Sequence, residues 1–185
     1  ELQGYALEIL NENYPDPDTV LSYAFSRKEK LWERRKTDDD FLSLRVGYGS
    51  VPMHTKINCP KRRFELETDA LLEQMYLLAE EERRLGHVPI MLSITENPVC
   101  GILGERQSVH SFLRDMITRL ALLYSYDEVK MVFLAEESDL AAFEFVRYLP
   151  HVWDDQRSMR FVATQVKEIF QIGDYITNSL GEDLE

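Results

Sequence analysis

The sequence predicts an α/β domain in which helices flank a mostly parallel sheet, preceded by a helical and β-hairpin segment. Three observations support this class. Strand-like and helical patterns alternate after about residue 66, and their connections are short. The composition is also that of a globular domain, because 44% of the 185 residues are hydrophobic and 29% are charged.

Residues 1–40 are predicted to form a helical connector. Residues 1–13 carry apolar side chains at helical spacing, which indicates a first helix. Asp16 followed by Pro17 is typical of the cap and first turn of a second helix.

Residues 41–66 are predicted to form a β-hairpin segment. Residues 41–46 alternate apolar and polar side chains, and residues 47–50 (Gly-Tyr-Gly-Ser) have the composition of a turn. We expect residues 51–57 to return as the second strand, with Pro52 restricting it to an edge or a bulge.

Residues 67–185 are predicted to form the α/β domain, because strands and helices alternate there. The expected strands are residues 88–94, 99–103, 129–135 and 159–163. The expected helices begin near residue 67 (ending at Gly86), at residue 107 (ending near 125), at Ser138 (ending at 148) and after Thr164.

The charge of the chain argues against generic DNA binding, because a net charge of −12 repels a phosphate backbone. Two short basic clusters, residues 34–36 and 61–63, are predicted to be solvated turns or contacts with an acidic partner. Cys59 and Cys100 form no disulfide framework, which fits a reducing compartment. No apolar run approaches the roughly 18 residues of a membrane span.

The turn between the predicted strand 99–103 and the next helix partly matches the phosphate-binding loop G-x-x-x-x-G-K-[ST]. Gly101 matches the first glycine, and Ser108 matches the hydroxyl residue that would hold magnesium. Arg106 stands in place of the second glycine and Gln107 in place of the lysine. The vestigial nucleotide-binding residues would be Gly101, Gly104, Glu105, Arg106, Gln107 and Ser108.

Both departures oppose nucleotide binding. A residue with a Cβ wraps a phosphate reluctantly, and neutral Gln107 cannot neutralise β- and γ-phosphate charge. Glu105 adds negative charge, whereas Arg106 and the free amides of the helix N-terminus keep some attraction for an anion. Weak nucleotide binding and an ordinary tight turn both remain open. The strand 129–135 ends in Glu136 and Glu137 and has no aspartate there to organise magnesium.

Several strings together resemble one family. Leu-Trp-Glu-Arg-Arg at 31–35, the segment 40–49 and Val51-Pro52 resemble the region after the membrane helices in FtsK/SpoIIIE-type ATPases of type VII secretion systems, the EssC/EccC group. Residues 99–104, 129–134, 148–153 and 160–164 continue the similarity in the same order. The resemblance covers about residues 15 to 170.

The resemblance implies a degenerate P-loop NTPase-like domain between the membrane segment and the ATPase domains, at the cytoplasmic face of a bacterial cell membrane. The loop substitutions lead us to expect no catalytic residue, metal or cofactor in this segment, whereas the resemblance implies that the parent motor uses Mg-ATP in later domains. The implied partners are other domains and subunits of the secretion machine and exported WXG-type proteins, and the acidic charge leads us to expect no nucleic acid. The parent would form a hexamer, and this chain alone is expected to be monomeric or weakly self-associating.

Three alternatives for function follow: a non-catalytic structural module, a weak ATP-binding regulatory domain and a DNA-translocase-type domain. Trp32, Arg34 and Arg35 are candidate partner contacts, although core packing also explains Trp32. His151 with Asp154 and Asp155 could suggest a metal site, but a structural histidine is the favoured interpretation.

Overall fold

The computed structural model describes residues 2–26, 30–52, 70–80 and 84–182. It confirms a mixture of helices and strands, but the strands form two small sheets. The chain divides into two compact units, one of residues 1–15 and 45–91 and the other of residues 16–44 and 92–185.

The two predicted N-terminal helices are present. Helix α1 spans Leu2–Asn13 and α2 spans Pro17–Ser26. Asp16 caps α2 as expected, because its carboxylate accepts hydrogen bonds from the Thr19 amide (2.9 Å) and the Thr19 hydroxyl (3.0 Å).

Strand β1 spans Ser43–Pro52, so the predicted turn at residues 47–50 is wrong. The strand continues through both glycines, and Gly49 faces the Ile90 side chain, where an added Cβ would lie 2.7 Å from two of its carbons. The glycine therefore allows a close side-chain approach, which is another use of glycine in strands. The rest of the predicted return strand, residues 53–57, lies outside the described residues.

The partner of β1 is β2, which spans Arg84–Ser93. Tyr48 stacks on His87 at 3.9 Å, and Arg84 donates to the Ser50 carbonyl at 2.9 Å. The Ile94 amide just after β2 donates to the Leu42 carbonyl just before β1 at 3.1 Å, so the start of β1 lies beside the end of β2 and the strands run antiparallel. The predicted strand 88–94 is thus largely confirmed, although it starts earlier than expected.

Helix α3 spans Ala70–Glu80, and Leu85 and Gly86 already belong to β2. The prediction of a helix extending to Leu85 and ended by Gly86 is therefore wrong. Leu85 fits the apolar spacing of a helix, but the same residue also fits the start of a strand.

Helix α4, Arg106–Leu123, forms the middle of the second unit and matches its prediction closely. One core cluster packs Ile117 and Ala121 of this helix with the later residues Met131, Leu140, Phe143, Val146 and Val152. A second cluster joins Leu123 and Tyr124 to Val20 of α2 and Leu44. Burial of these side chains is the main stabilising contribution in this unit.

The remaining predicted strands are shorter than expected or absent. Residues 99–103 have no strand, whereas β3 spans Phe133–Leu134 and β4 spans Val162–Ala163. The last two strands pair in parallel, with Phe133 opposite Val162. A mostly parallel sheet of P-loop NTPase type is therefore not confirmed by the described residues.

The last helices differ in regularity. Helix α5 covers only Glu137–Leu140, and its N-cap position is Glu136, not Ser138 as predicted, with no capping hydrogen bond from the Glu136 side chain. Two short 3₁₀ helices follow at Ala141–Tyr148 and Pro150–Val152. Helix α6 spans Val166–Glu182, and the Glu168 carboxylate accepts the Thr164 amide at 2.9 Å just before it.

Candidate functional site

The loop before α4 is an exposed segment. Residues 101–108 are all solvent-exposed, and the side chains of Val99 and Leu103 are 92% and 98% accessible. The predicted strand that would fix this loop at a sheet edge is absent. An apolar run therefore ends in solvent instead of entering a sheet.

The two glycines of this loop do not adopt the conformation that distinguishes glycine. No described glycine has a positive φ angle. A Cβ at Gly101 would meet no atom within 4 Å, and one at Gly104 would make an ordinary contact with Val109 at 3.5 Å. A side chain would therefore fit at either position, unlike at a loop that wraps a phosphate with its backbone.

The guanidinium of Arg106 is engaged within the chain. It forms an ion pair with the carboxylate of Asp139 in α5, and the same carboxylate oxygen lies 3.4 Å from Nε2 of His110. The His110 ring also packs edge-on against Phe143, with the ring centroids 5.2 Å apart. An internal carboxylate thus takes the position beside the start of α4 that an anionic ligand of Arg106 would need.

The first turn of α4 has backbone amides that no side chain caps. Glu105 is the N-cap residue and makes no capping hydrogen bond, and Gln107 and Ser108 are exposed. Free amides at a helix N-terminus attract anions. Here Asp139 pairs with the guanidinium of Arg106, and Glu105 beside it adds a second negative charge, so the local charge opposes a triphosphate.

Asp139 is the residue that sequence analysis missed at this site. The acids considered there were Glu136 and Glu137, which are both exposed. The pairing between Asp139 and Arg106 joins residues 33 positions apart. The only sequence signal is an acid near the start of a short helix, which has an adequate explanation in the helix dipole.

The segment around Trp32 is held against the end of α4. The indole Nε1 of Trp32 donates to the Ala121 carbonyl at 3.0 Å, and the Trp32 amide donates to the Leu122 carbonyl at 3.0 Å. The Arg34 amide donates to the Leu123 carbonyl at 3.2 Å. These bonds satisfy carbonyls of the last turn, which have no partner within a helix.

Trp32 has a φ angle of 57°, in the left-handed region that a bulky residue rarely enters. Such a conformation persists only when surrounding contacts enforce it. Its two hydrogen bonds and an edge-on contact with Tyr126 (5.6 Å between centroids) hold Trp32 in this conformation.

Arg34 links three parts of this unit. Its Nη1 donates to the Ser43 carbonyl at 2.9 Å and to the Tyr124 hydroxyl at 3.4 Å, and lies 3.5 Å from the Asp40 carboxylate. Burial raises the pKa of Tyr124, so its hydroxyl is neutral at pH 7 and can accept this bond. Of the three predicted partner contacts, Trp32 and Arg34 therefore have internal roles, whereas the Arg35 side chain is exposed.

His151 and Asp154 have separate structural roles. The buried His151 Nε2 lies 2.9 Å from the Tyr124 carbonyl oxygen. Because a carbonyl oxygen can only accept a hydrogen bond, Nε2 carries the proton. The buried Nδ1 has no hydrogen-bond partner among the described residues. Burial lowers the pKa of His151. Asp154 accepts the Ser158 hydroxyl (2.6 Å) and the Met159 amide (2.9 Å). Across the ranges that the structure describes, no group of three His, Cys, Asp or Glu side chains could hold a metal ion.

None of the helices in the described ranges is both long and apolar enough to cross a membrane. No protein-family model matches the chain.

Comparison with curated proteins finds secretion proteins of several bacteria. The chain is 26% identical over 144 residues to the ESX secretion system protein EccC of Geobacillus thermodenitrificans, which is 77% of this chain and 10% of that protein. It is 25% identical over 154 residues to YukB of Bacillus subtilis, 81% of this chain and 10% of that protein. It is 30% identical over 146 residues to EccC4 of Mycobacterium tuberculosis, 77% of this chain and 11% of that protein.

These matches confirm the resemblance to the EssC/EccC group that the residues themselves indicated. The chain spans about one tenth of the length of the curated relatives it matches. It is thus homologous to one domain of the EccC, EssC and YukB proteins of type VII secretion systems.

Proposed function

We propose that this chain is a non-catalytic, ATPase-like module of a type VII secretion motor at the cytoplasmic face of the membrane. In this role it positions the motor's ATPase domains and contacts other components of the secretion machine. The motor itself would use Mg-ATP in other domains, assemble as a hexamer and export WXG-type proteins. Homology to EccC and YukB supports the assignment to secretion.

The ion pair between Arg106 and Asp139 is the observation that carries the non-catalytic part of the proposal. The residue in place of the second loop glycine is bound to a carboxylate of its own chain. A nucleotide would have to displace that carboxylate and accept Gln107 where a lysine normally neutralises charge. Both changes would be unfavourable, and they would occur in a loop that no adjoining strand holds in place.

A charge argument disfavours DNA translocation as the function. The net charge of −12 gives a repulsive field toward a phosphate backbone. In the described residues, Arg34 is also used internally, so part of the basic cluster at 34–36 is not available to DNA.

Calorimetric titration of Mg-ATP into the chain tests the non-catalytic role. We expect no binding with Kd below about 1 mM for the wild type, because Arg106 is paired and Gln107 is neutral. The double variant Arg106→Gly, Gln107→Lys restores the phosphate-loop residues and releases Asp139. Glu137→Gln is the matched control, since it removes an exposed carboxylate of α5 that makes no contact with Arg106.

Micromolar binding by the wild type would contradict the proposal and favour a weak ATP-binding regulatory domain. Binding by the double variant alone would support descent from a nucleotide-binding loop. Salt-sensitive retention of the chain on DNA would instead favour a translocase-type domain.

The positioning role is tested in the full-length secretion protein. We expect the Arg106→Gly variant to export substrate and hydrolyse ATP normally, because this loop takes no part in catalysis. Arg34→Ala should reduce export while ATP hydrolysis persists, because it disturbs the module without touching an ATPase domain. Loss of ATP hydrolysis in Arg106→Gly would refute the proposal.

A further inference from the structure

A cleft among the described residues lies in the second unit. It has a volume of about 520 Å³. Its walls come from α5, the first 3₁₀ helix, residues 153–162 and the start of α6. The volume falls within the range of roughly 300–1,000 Å³ that is usual for binding sites.

The cleft carries an excess of positive charge in a chain that is strongly acidic. Arg147 and Arg160 line it, together with one carboxylate, Glu168. The Glu168 carboxylate already accepts hydrogen bonds from the Thr164 amide (2.9 Å) and the Gln165 amide (3.1 Å), which lower its pKa. Its hydrogen-bonding capacity is therefore largely used by the backbone before α6.

Within the described ranges, neither of the two arginines is held in an ion pair, although the charge of Arg147 contributes to the lowered pKa of Glu168. Among the described residues, neither Arg147 nor Arg160 has a carboxylate within 4 Å, unlike Arg34, Arg106 and Arg119, which all do. The planar fork of donors in a guanidinium is suited to a carboxylate.

Arg160 is held in place by the ring of Trp153. Its guanidinium carbon lies 4.4 Å from the centroid of that ring, and the two residues also form an antiparallel β-bridge. Stacking fixes the plane of the guanidinium but leaves its edge free to donate. Less side-chain entropy is then lost when a ligand binds.

The cleft also has an apolar part. Leu140, Val162 and Ile172 line it, and Leu140 and Ile172 belong to the buried core. A ligand that satisfies both parts must carry an apolar group beside its negative charge.

We propose that this cleft binds a segment of a partner protein in which a carboxylate side chain lies next to an apolar side chain. The inference rests on the proposed secretion role and names the chemistry of one partner contact. A protein segment fits because the lining residues Arg147, Arg160 and Gln171 are solvent-exposed, whereas sites for small ligands usually enclose 70–90% of the ligand surface. At 0.15 M salt the screening length of about 8 Å limits repulsion from the rest of the acidic surface.

Selection from a random heptapeptide library displayed on phage, with the 185-residue chain as target, tests this site. We expect selected peptides to share Asp or Glu beside Leu, Ile, Val, Met or Phe. Synthetic copies should bind at least tenfold more weakly to Arg147→Ala and to Arg160→Ala, measured by fluorescence anisotropy. Lys167→Ala removes an exposed charge of α6 outside the cleft and should change affinity less than twofold.

The Arg160→Lys variant is a control for misfolding of Arg160→Ala, because it keeps the positive charge but lacks the planar fork of donors. It should bind more weakly than wild type while retaining the thermal transition of the wild type. Replacing the acidic residue of a selected peptide by its amide should weaken binding at least tenfold.

Three results would overturn the proposal: no acidic enrichment among selected peptides, equal affinity of the arginine variants, or equal affinity of the amide peptide. Competition by free 4-methylpentanoate at the same concentration as the peptide would identify a small-carboxylate site instead. These outcomes are independent of the Mg-ATP titration, so the cleft and the non-catalytic role can fail separately.

Discussion

Replacing Arg34 by alanine should destabilise the second unit much more than replacing its neighbour Arg35. The two arginines are adjacent in sequence and identical in chemistry. The Arg34 side chain is 11% exposed and bonds to Ser43 and Tyr124, whereas the Arg35 side chain lies in solvent. The pair therefore separates the effect of position from the effect of charge.

The expected cost of Arg34→Ala follows from its contacts. The 2.9 Å bond to the Ser43 carbonyl has a charged donor, and such a bond contributes about 1.5–3 kcal/mol to stability. The 3.5 Å approach to Asp40 adds less than about 1 kcal/mol, since that carboxylate is partly exposed. We expect a total loss of about 2–3 kcal/mol, against about 0.5 kcal/mol or less for Arg35→Ala.

Urea unfolding followed by tryptophan fluorescence measures this difference. Trp32 and Trp153 both belong to the second unit, so their emission reports on its unfolding without a signal from the first. The stability of the Arg34→Lys variant should lie between those of wild type and Arg34→Ala, because an ammonium group keeps the charge but cannot bond to all the acceptors of the planar guanidinium. Equal losses for Arg34→Ala and Arg35→Ala would refute the assignment of Arg34 as an internal anchor.

Two further predictions concern His151 and the glycines of β1. Because burial lowers the pKa of His151 below its ordinary 6.5, the unfolded chain takes up a proton there before the folded chain does. The free energy of unfolding should therefore fall as pH decreases below about 6.5. His151→Gln should reduce this dependence on pH, measured by urea titrations between about pH 7.5 and 5. An unchanged dependence would contradict the assignment. Gly49→Ala should lower the free energy of unfolding by about 1–3 kcal/mol, because its Cβ would lie 2.7 Å from Ile90. Gly47→Ala should be neutral or slightly stabilising, because its Cβ would meet nothing within 4 Å. Thermal melts followed by far-UV circular dichroism measure both effects. Equal melting temperatures for the two variants would count against the close approach.

Helices α2 and α4 were the most predictable elements of this fold, whereas α3 and α5 differ from their predictions. The apolar spacing of α4 and the Asp16-Pro17 pair of α2 are local signals, and both elements are present as expected. Local sequence decides such elements because every contact that defines them lies within a few residues.

The strands were less predictable, since pairing depends on distant residues. Gly-Tyr-Gly-Ser at 47–50 has turn composition, yet these residues lie in β1, which pairs with β2, and Gly49 leaves room for the Ile90 side chain 41 positions later. The run 99–103 is apolar enough for a buried strand, but no neighbouring strand in the described residues pairs with it.

The sequence predicted where the candidate site departs from the phosphate-loop pattern, but it did not predict the contacts of the site. The sequence showed that Arg106 and Gln107 replace the phosphate-loop residues, and the geometry of that loop lacks glycine-specific conformations. That Asp139 would bind Arg106, and that Arg147 and Arg160 would line one cleft, depends on tertiary packing with no periodic signal. Whether nucleotide binds to this loop stays a prediction for calorimetry.

Helix α4 is fixed at both of its ends within the second unit. Asp139 holds its first turn through Arg106 and His110, and Trp32 and Arg34 bind the carbonyls of its last turn. With 18 residues at 1.5 Å each, the helix is a rod about 27 Å long, held by hydrogen bonds at its last turn and by a partly exposed ion pair at its uncapped first turn. A mechanical load along this rod would therefore unwind the first turn near Asp139 before it displaced residues 32–34.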